Sequence, residues 1–154
     1  KSWNWEEIDS ITAAVTRHYT NGVYTGTTHI YTLLKRSTGE RIVLNDSVEK
    51  VEDAANHLRS GAYPILFKKY ADAYNSGSPV HFGPVTLSRS EGITLGKKNY
   101  PWDQVKQVSI NQEIIAVAKK DGGWFSGASV AASSVPNLEL MLSIVDNVVG
   151  LNSK

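Results

Sequence analysis

Four histidines, His18, His29, His57 and His81, are the only side chains in this chain that could serve as nitrogen ligands to a metal or as general bases near neutral pH. They are scattered. His18 and His29 flank the glycine-containing stretch Thr20–Gly26 and are expected to face each other across a hairpin, with Glu6 or Asp9 nearby. Two histidines without a placed carboxylate do not define a metal site, and ordinary strand surface is the simpler expectation. Cysteine is absent, which removes disulfides, thiolate catalysis and cysteine-ligated zinc or iron–sulfur chemistry. Serines are numerous, but no Gly-x-Ser-x-Gly elbow occurs. Gly22-x-x-x-Gly26 and Gly122-Gly123 lack the Lys-Ser/Thr of a phosphate-cradling loop and read as hairpin turns. Glu6-Glu7 and Asp103 stand at strand entries, where solvation accounts for them. The residues therefore imply no catalytic group, no metal and no cofactor.

What remains is charge and aromatic surface. The net charge of +1 gives no overall field that would steer the chain onto nucleic acid or anionic lipid, so binding of either needs a local patch. Arg89, Lys97, Lys98, Lys119 and Lys120 are the candidate ligand-binding residues, since hairpin ends could gather some of them, although Glu91 stands beside Arg89. A solvated face is the competing reading. Trp124-Phe125 is expected to begin a strand with its rings in the core, the other reading being an aromatic tip presented to a partner. Tyr63, Tyr70 and Tyr74 could cover a sheet or dock a second protein. Hydrophobic residues at 41% and charged residues at 20% are the balance of a soluble globular protein. No apolar run approaches the roughly 20 residues a bilayer crossing needs, and no signal-peptide pattern is visible.

These residues must be positioned by short elements. Ile11, Ala13, Val15 and Arg17 alternate with Thr12, Ala14, Thr16 and His18, the period of a strand. Thr20–Gly26, with its Asn21-Gly22 pair, predicts a loop or an extended hairpin tip. Strands are expected over 27–35 and 41–44. Asp46 and Glu49 have the spacing of a capping box, so a helix is expected from there. Val48, Val51, Ala55 and Leu58 form its apolar stripe, and Ser60-Gly61 should end or bend it. A second helical segment over 63–74 has Pro64 near its start, with Leu66 or Phe67 on its buried face. Asn75–Pro79 is the clearest break. Beyond it, short strands at 80–82, 85–89, 93–95, 98–100, 104–110, 113–119 and 124–131 predict an antiparallel meander that removes its edges by curling into a barrel or sandwich. Leu138, Met141, Leu142, Val145, Val148 and Val149 then mark a final helix, closed by Gly150.

One stretch is stated twice. Trp5, Glu6, Glu7, Ile8 and Ile11 have counterparts in Trp102, Asp103, Gln104, Val105 and Val108, and each copy continues as three strands, an amphipathic helix and a glycine. An internal duplication follows from the full ordered series. Seven antiparallel strands closed by one helix resemble the pleckstrin-homology-like (PH-like) arrangement. Through Phe82-Gly83-Pro84-Val85, Pro101-Trp102-Asp103-Gln104-Val105 and Val135-Pro136-Asn137-Leu138, the chain resembles a bacterial family of unknown function with tandem PH-like domains.

That resemblance implies an α+β architecture without implying an activity. Residues 1–61 would be a partial PH-like unit with only the last three strands and helix, 62–78 a helical connector, and 79–151 a complete unit. The missing opening strands imply either an absent upstream portion, the favoured reading, or three strands that complete a sheet with the second copy. PH domains that hold phosphoinositides do so with basic residues around an early hairpin, which is the expectation attached to Arg89. The function expected is a non-enzymatic binding or scaffolding module for a protein or peptide, held by strand addition to a sheet edge or in the groove beside the closing helix. Peripheral association with anionic lipid is the alternative, and an enzyme of unknown class the second. The expected location is cytoplasmic, or at a membrane surface if a membrane segment lies upstream.

Overall fold

The computed structural model describes residues 3–122 and 127–153, without the side chains of 151–153; Trp124 and Phe125 lie outside the described residues. Contacts divide the chain into two compact units, Lys1–Leu66 and Phe67–Lys154.

The first unit opens on a 3-10 turn, Trp5–Glu7. Its start is secured by the Asn4 amide, which donates to Glu7 Oε2 at 2.8 Å. Three antiparallel strands follow in the order β1 (Ile8–Thr20), β2 (Val23–Lys35) and β3 (Arg41–Asn45). Their register places Ile11, Leu33 and Ile42 side by side, and likewise Ala13, Tyr31 and Leu44. Because successive strand residues point to opposite faces, this makes one apolar face. Helix α1 (Val51–Asn75) covers it, with Tyr31, Val51 and Ala55 buried against Ala13, Leu44 and Val48. The β1–β2 turn is only Asn21-Gly22, with φ of 50° and 79°. Two positive φ values are what a two-residue hairpin with the native twist requires, so the expected tip is paired to Thr20↔Val23.

Three expectations fail in this unit. Asp46 does not cap a helix. Its carboxylate accepts the His29 backbone N–H at 2.8 Å, and α1 starts only at Val51, after Lys50 at φ 53°. Nor does α1 stop at Ser60-Gly61; it runs unbroken through Gly61 and Pro64 to Asn75. Gly61 is there for space, since a Cβ would stand 2.7 Å from Cζ2 of the Trp5 ring and closer still to its fusion carbons. Finally, His18 and His29 do not face each other, because His18 pairs with Gly26 and His29 with Val15 on opposite faces of the hairpin. Of the alternatives at the next turn, Leu66 is fully buried and Phe67 is exposed.

In the second unit β4 (Val80–Phe82), β5 (Val85–Ser88), β6 (Gly92–Leu95) and β7 (Lys98–Tyr100) form one antiparallel sheet in chain order. A second sheet has the order β10 (Ser129–Ala131), β9 (Ile114–Lys119), β8 (Val105–Asn111) and β11 (Leu151–Ser153); β11 alone runs parallel to its neighbour. Phe82, Leu87, Ile93, Val108, Ile115, Met141 and Val145 are fully buried in this unit, each contributing about 1.5–3 kcal/mol of apolar burial. Helix α2 (Leu138–Val149) buries Leu140, Met141, Ile144 and Val145, packs on β8, and ends at Gly150 with φ 76°.

Of the barrel or sandwich expected for residues 79–151, a closed barrel is not formed among the described residues. Pro101, which has no N–H to extend a ladder, diverts the chain from β7 into the 3-10 turn Trp102–Gln104, and β8 then pairs with β9 and β11. The Tyr100 hydroxyl still links the sheets by accepting the Ala128 N–H at 2.7 Å. After each of Trp5 and Trp102 a 3-10 turn, three strands and a helix follow in that order, the second series having a further 3-10 turn, Ala132–Ser134, before its helix. The architecture is mixed α+β.

Candidate functional site

The five basic candidates fall into two places. Arg89 lies in the β5–β6 turn, and its Nη1 donates to the Asn75 carbonyl at 2.8 Å, a cation on the last carbonyl of α1. Lys119 pairs with Val105, and the Lys120 N–H donates to the Gln104 carbonyl at 2.9 Å. Trp102 Nε1 donates to the Ser88 carbonyl at 2.8 Å, so Arg89, Lys119 and Lys120 lie on the side of the unit that the Trp102 turn occupies. Buried Tyr74 also lies on this side, and burial pushes its hydroxyl above the usual tyrosine range. Lys97 and Lys98 sit in the β6–β7 hairpin at the opposite end of β6, about 10 Å along the strand from the Arg89 turn. The structure does not bring the two lysine pairs together.

The histidines are each engaged. His29 Nδ1 is 3.1 Å from Asp46 Oδ1 and Nε2 is 3.0 Å from Glu52 Oε1, tying β2 to the turn after β3 and to the first turn of α1. The His29 backbone N–H, and then the ring, hold the Asp46 carboxyl below its usual range. Both ring nitrogens face carboxylates, which leaves neither directed at a substrate. His18 bonds Thr28, His81 bonds Thr86, and His57 packs edge-on against Trp5 at 5.8 Å. Among the described residues no group of three or more His, Asp or Glu side chains is disposed to hold a metal ion. At the start of β1, the Asn4 backbone N–H and then Lys35 hold the Glu7 carboxyl below its ordinary range.

The remaining feature is a sheet edge. Val117 donates its N–H to Ala128 at 3.1 Å, on the β10 side. Alternation then turns Ala116 toward Ser109, and leaves the main-chain groups of Val108 and Ile110 directed at the far edge of β8. There Leu151, Asn152 and Ser153 lie opposite Val108, Ser109 and Ile110 as a parallel strand, alongside α2. A segment of this chain thus occupies an edge by strand addition. Periodicity could not expose it, because three residues after the Gly150 cap are too few to establish a period of two. The second feature without a counterpart in the sequence reading is the outer half of the β1–β2 hairpin, where Tyr19, Val23 and Tyr24 are 59%, 66% and 55% exposed.

Among the described residues no helix is long and apolar enough to cross a membrane. Neither the curated proteins nor the solved structures yield a match to the chain. One family model matches residues 1–153, that of a family of unknown function, DUF6585.

Proposed function

The chain belongs to the DUF6585 family, a family of unknown function, and from its own geometry we propose that it is a non-enzymatic binding module that takes up an extended segment of a protein partner by strand addition at the outer edge of β8. The observation that carries this reading is the parallel pairing of Leu151–Ser153 with that edge. A three-residue strand makes few hydrogen bonds, each worth about 0.5–1.5 kcal/mol net. A longer peptide with the same main-chain demands would displace it, with α2 forming the wall that reads alternate side chains.

The finer architectural reading is a PH-like unit over 79–151, a partial copy over 1–61 and the helical connector 62–78. The order of a four-stranded sheet, a three-stranded meander and a closing helix supports it, as does the recurrence of the Trp-led series. No reacting group enters the proposal, and Arg89, Lys119 and Lys120 would serve as charge beside the Trp102 turn.

Random-peptide display against the full chain, followed by amide-resonance mapping, tests it. Selected peptides should shift Val108 and Ile110. Asn152→Pro, which removes a donor from the resident strand, should tighten them about three- to tenfold, because the competent edge becomes more populated. Peptides that shift only residues remote from β8, with affinities indifferent to Asn152→Pro, would sink the proposal.

A further inference from the structure

The β1–β2 hairpin is longer than the sheet it belongs to. Pairing with β3 ends at Ile30↔Asn45, while the hairpin continues through Val15↔His29 to Thr20↔Val23. Six residues of β1 beyond the third strand extend the two-stranded arm by about 20 Å. Isolated two-stranded hairpins are marginal in water, and this one carries its largest apolar side chains at its end. Tyr19 and Tyr24 form an edge-to-face pair, with centroids 5.8 Å apart and planes at 68°. The register shift between His18 and Tyr19 sets both rings on one face, whereas Val23, adjacent to Tyr24 and opposite Thr20, points to the other. Apolar groups therefore surround the tip on both faces.

The chemistry around the tip is equally specific. From Ser10 to Gly39 the sequence contains no Asp or Glu. Within this stretch Lys35 and Arg36 lie at the base of the hairpin, paired with Glu7 and Asp9. Arg17 is the cation of the arm. It lies two residues behind Tyr19 on the same face, about 7 Å along the strand. That interval matches the 5–10 Å over which interfacial side chains sink below the headgroups. Tyrosine rings with a polar end, an aliphatic residue beside the turn and a cation set back from it fit a headgroup boundary. A protein partner fits less well. Three side chains this exposed offer roughly 300–400 Å², less than the roughly 800 Å² a standard interface takes from each side. A protein surface would also cover one face of the hairpin, not both.

We infer that the Asn21-Gly22 end of the hairpin inserts into the interfacial layer of an anionic lipid bilayer, Tyr19, Val23 and Tyr24 entering and Arg17 meeting lipid phosphate. This surface lies in the first unit and is independent of the β8 edge.

The test is co-sedimentation of the full chain with phosphatidylcholine vesicles, with and without phosphatidylserine. The chain should bind the phosphatidylserine vesicles. Tyr19→Ser/Val23→Ser/Tyr24→Ser should weaken binding about tenfold or more, Arg17→Gln should reduce the preference for phosphatidylserine, and Lys97→Gln/Lys98→Gln should leave binding unchanged. The absence of cysteine permits a second readout that does not depend on the triple variant folding. A polarity-sensitive dye on Val23→Cys should shift to the blue with phosphatidylserine vesicles, while one on Val43→Cys, also exposed but on β3, should not. Failure of the unaltered chain to bind either vesicle would overturn the inference and return the tip to protein docking. Vesicle binding that survives the triple substitution, with no dye response at Val23→Cys, would also overturn it and assign the contact to the lysine hairpins.

Discussion

Gly61→Ala sets two effects of opposite sign against each other. Gly61 lies inside α1, where alanine in place of glycine should stabilise a helix by about 0.8–1.0 kcal/mol. The added methyl would, however, stand 2.7 Å or less from three carbons of the Trp5 indole. The ring cannot yield freely: it lies across one helical turn, against Gly61 on one side and His57, four residues earlier, on the other. Overpacking of this kind costs about 1–3 kcal/mol. Subtracting the propensity gain leaves a net destabilisation of about 1 kcal/mol. Native-state hydrogen exchange of the α1 amides around Gly61 reads this directly, as a rise of about fivefold in their exchange rates. In a Trp5→Ala background the obstacle is gone, and Gly61→Ala should become stabilising by about 1 kcal/mol, a coupling near 2 kcal/mol in the double-mutant cycle. If Gly61→Ala slows exchange in the otherwise unaltered chain, the packing argument is wrong and the glycine is not there for the indole.

Three further outcomes follow from the geometry. The β8–β9 turn places Gln112 and Glu113 at φ of 48° and 64°, values that favour Asn-Gly; Gln112→Asn/Glu113→Gly should therefore stabilise the second unit by about 1–2 kcal/mol, and an unchanged melting temperature would count against the strain. Asp46 and Glu7 are both held below their ordinary ranges in the folded chain, so the stability they contribute is present above the ordinary carboxyl values of 3.8 and 4.5 and is lost as pH falls through the lower folded values. Urea midpoints should accordingly be flat near neutrality and fall below about pH 4, with Asp46→Asn removing part of that fall; an acid limb identical in the variant would refute the assignment. Trp102→Phe keeps most of the ring but abandons the bond to the Ser88 carbonyl, and should cost about 1–3 kcal/mol in a thermal-shift series if that carbonyl is left unsatisfied.

Much of the secondary structure was legible because its causes are local. The alternation from Ile11 to His18 marks β1, Asn21-Gly22 marks a two-residue turn, and the stripe from Leu138 to Val149 with Gly150 after it marks α2. The two misreadings of α1 share one cause. Asp46 and Glu49 satisfy the spacing of a capping box, but the donor that claims Asp46 is the amide of His29, on a strand seventeen residues earlier. Gly61 has the local signature of a helix end, yet the chain accepts it mid-helix because an indole from the opening turn needs the room. In both places a group distant in sequence overrides the helix signal, and no window of ten or fifteen residues contains both partners.

The candidate sites divide in the same way, by how far apart in sequence their parts lie. The basic residues were visible as residue types, but their grouping depends on which ends of β6 and β8 adjoin. Register and the Trp102 bond put Lys119 and Lys120 on Arg89's side and leave Lys97 and Lys98 at the other end. The β8 edge is further still from local inference. It depends on a strand returning after a helix to run parallel to one that left some forty residues earlier. The hairpin tip is the intermediate case. Its lack of acidic residues and its paired tyrosines were in plain view, but their exposure follows only from the third strand ending at Asn45. A longer β3 would have continued the three-stranded sheet toward the tip, so the two-stranded arm that carries these side chains follows from a mismatch in strand length.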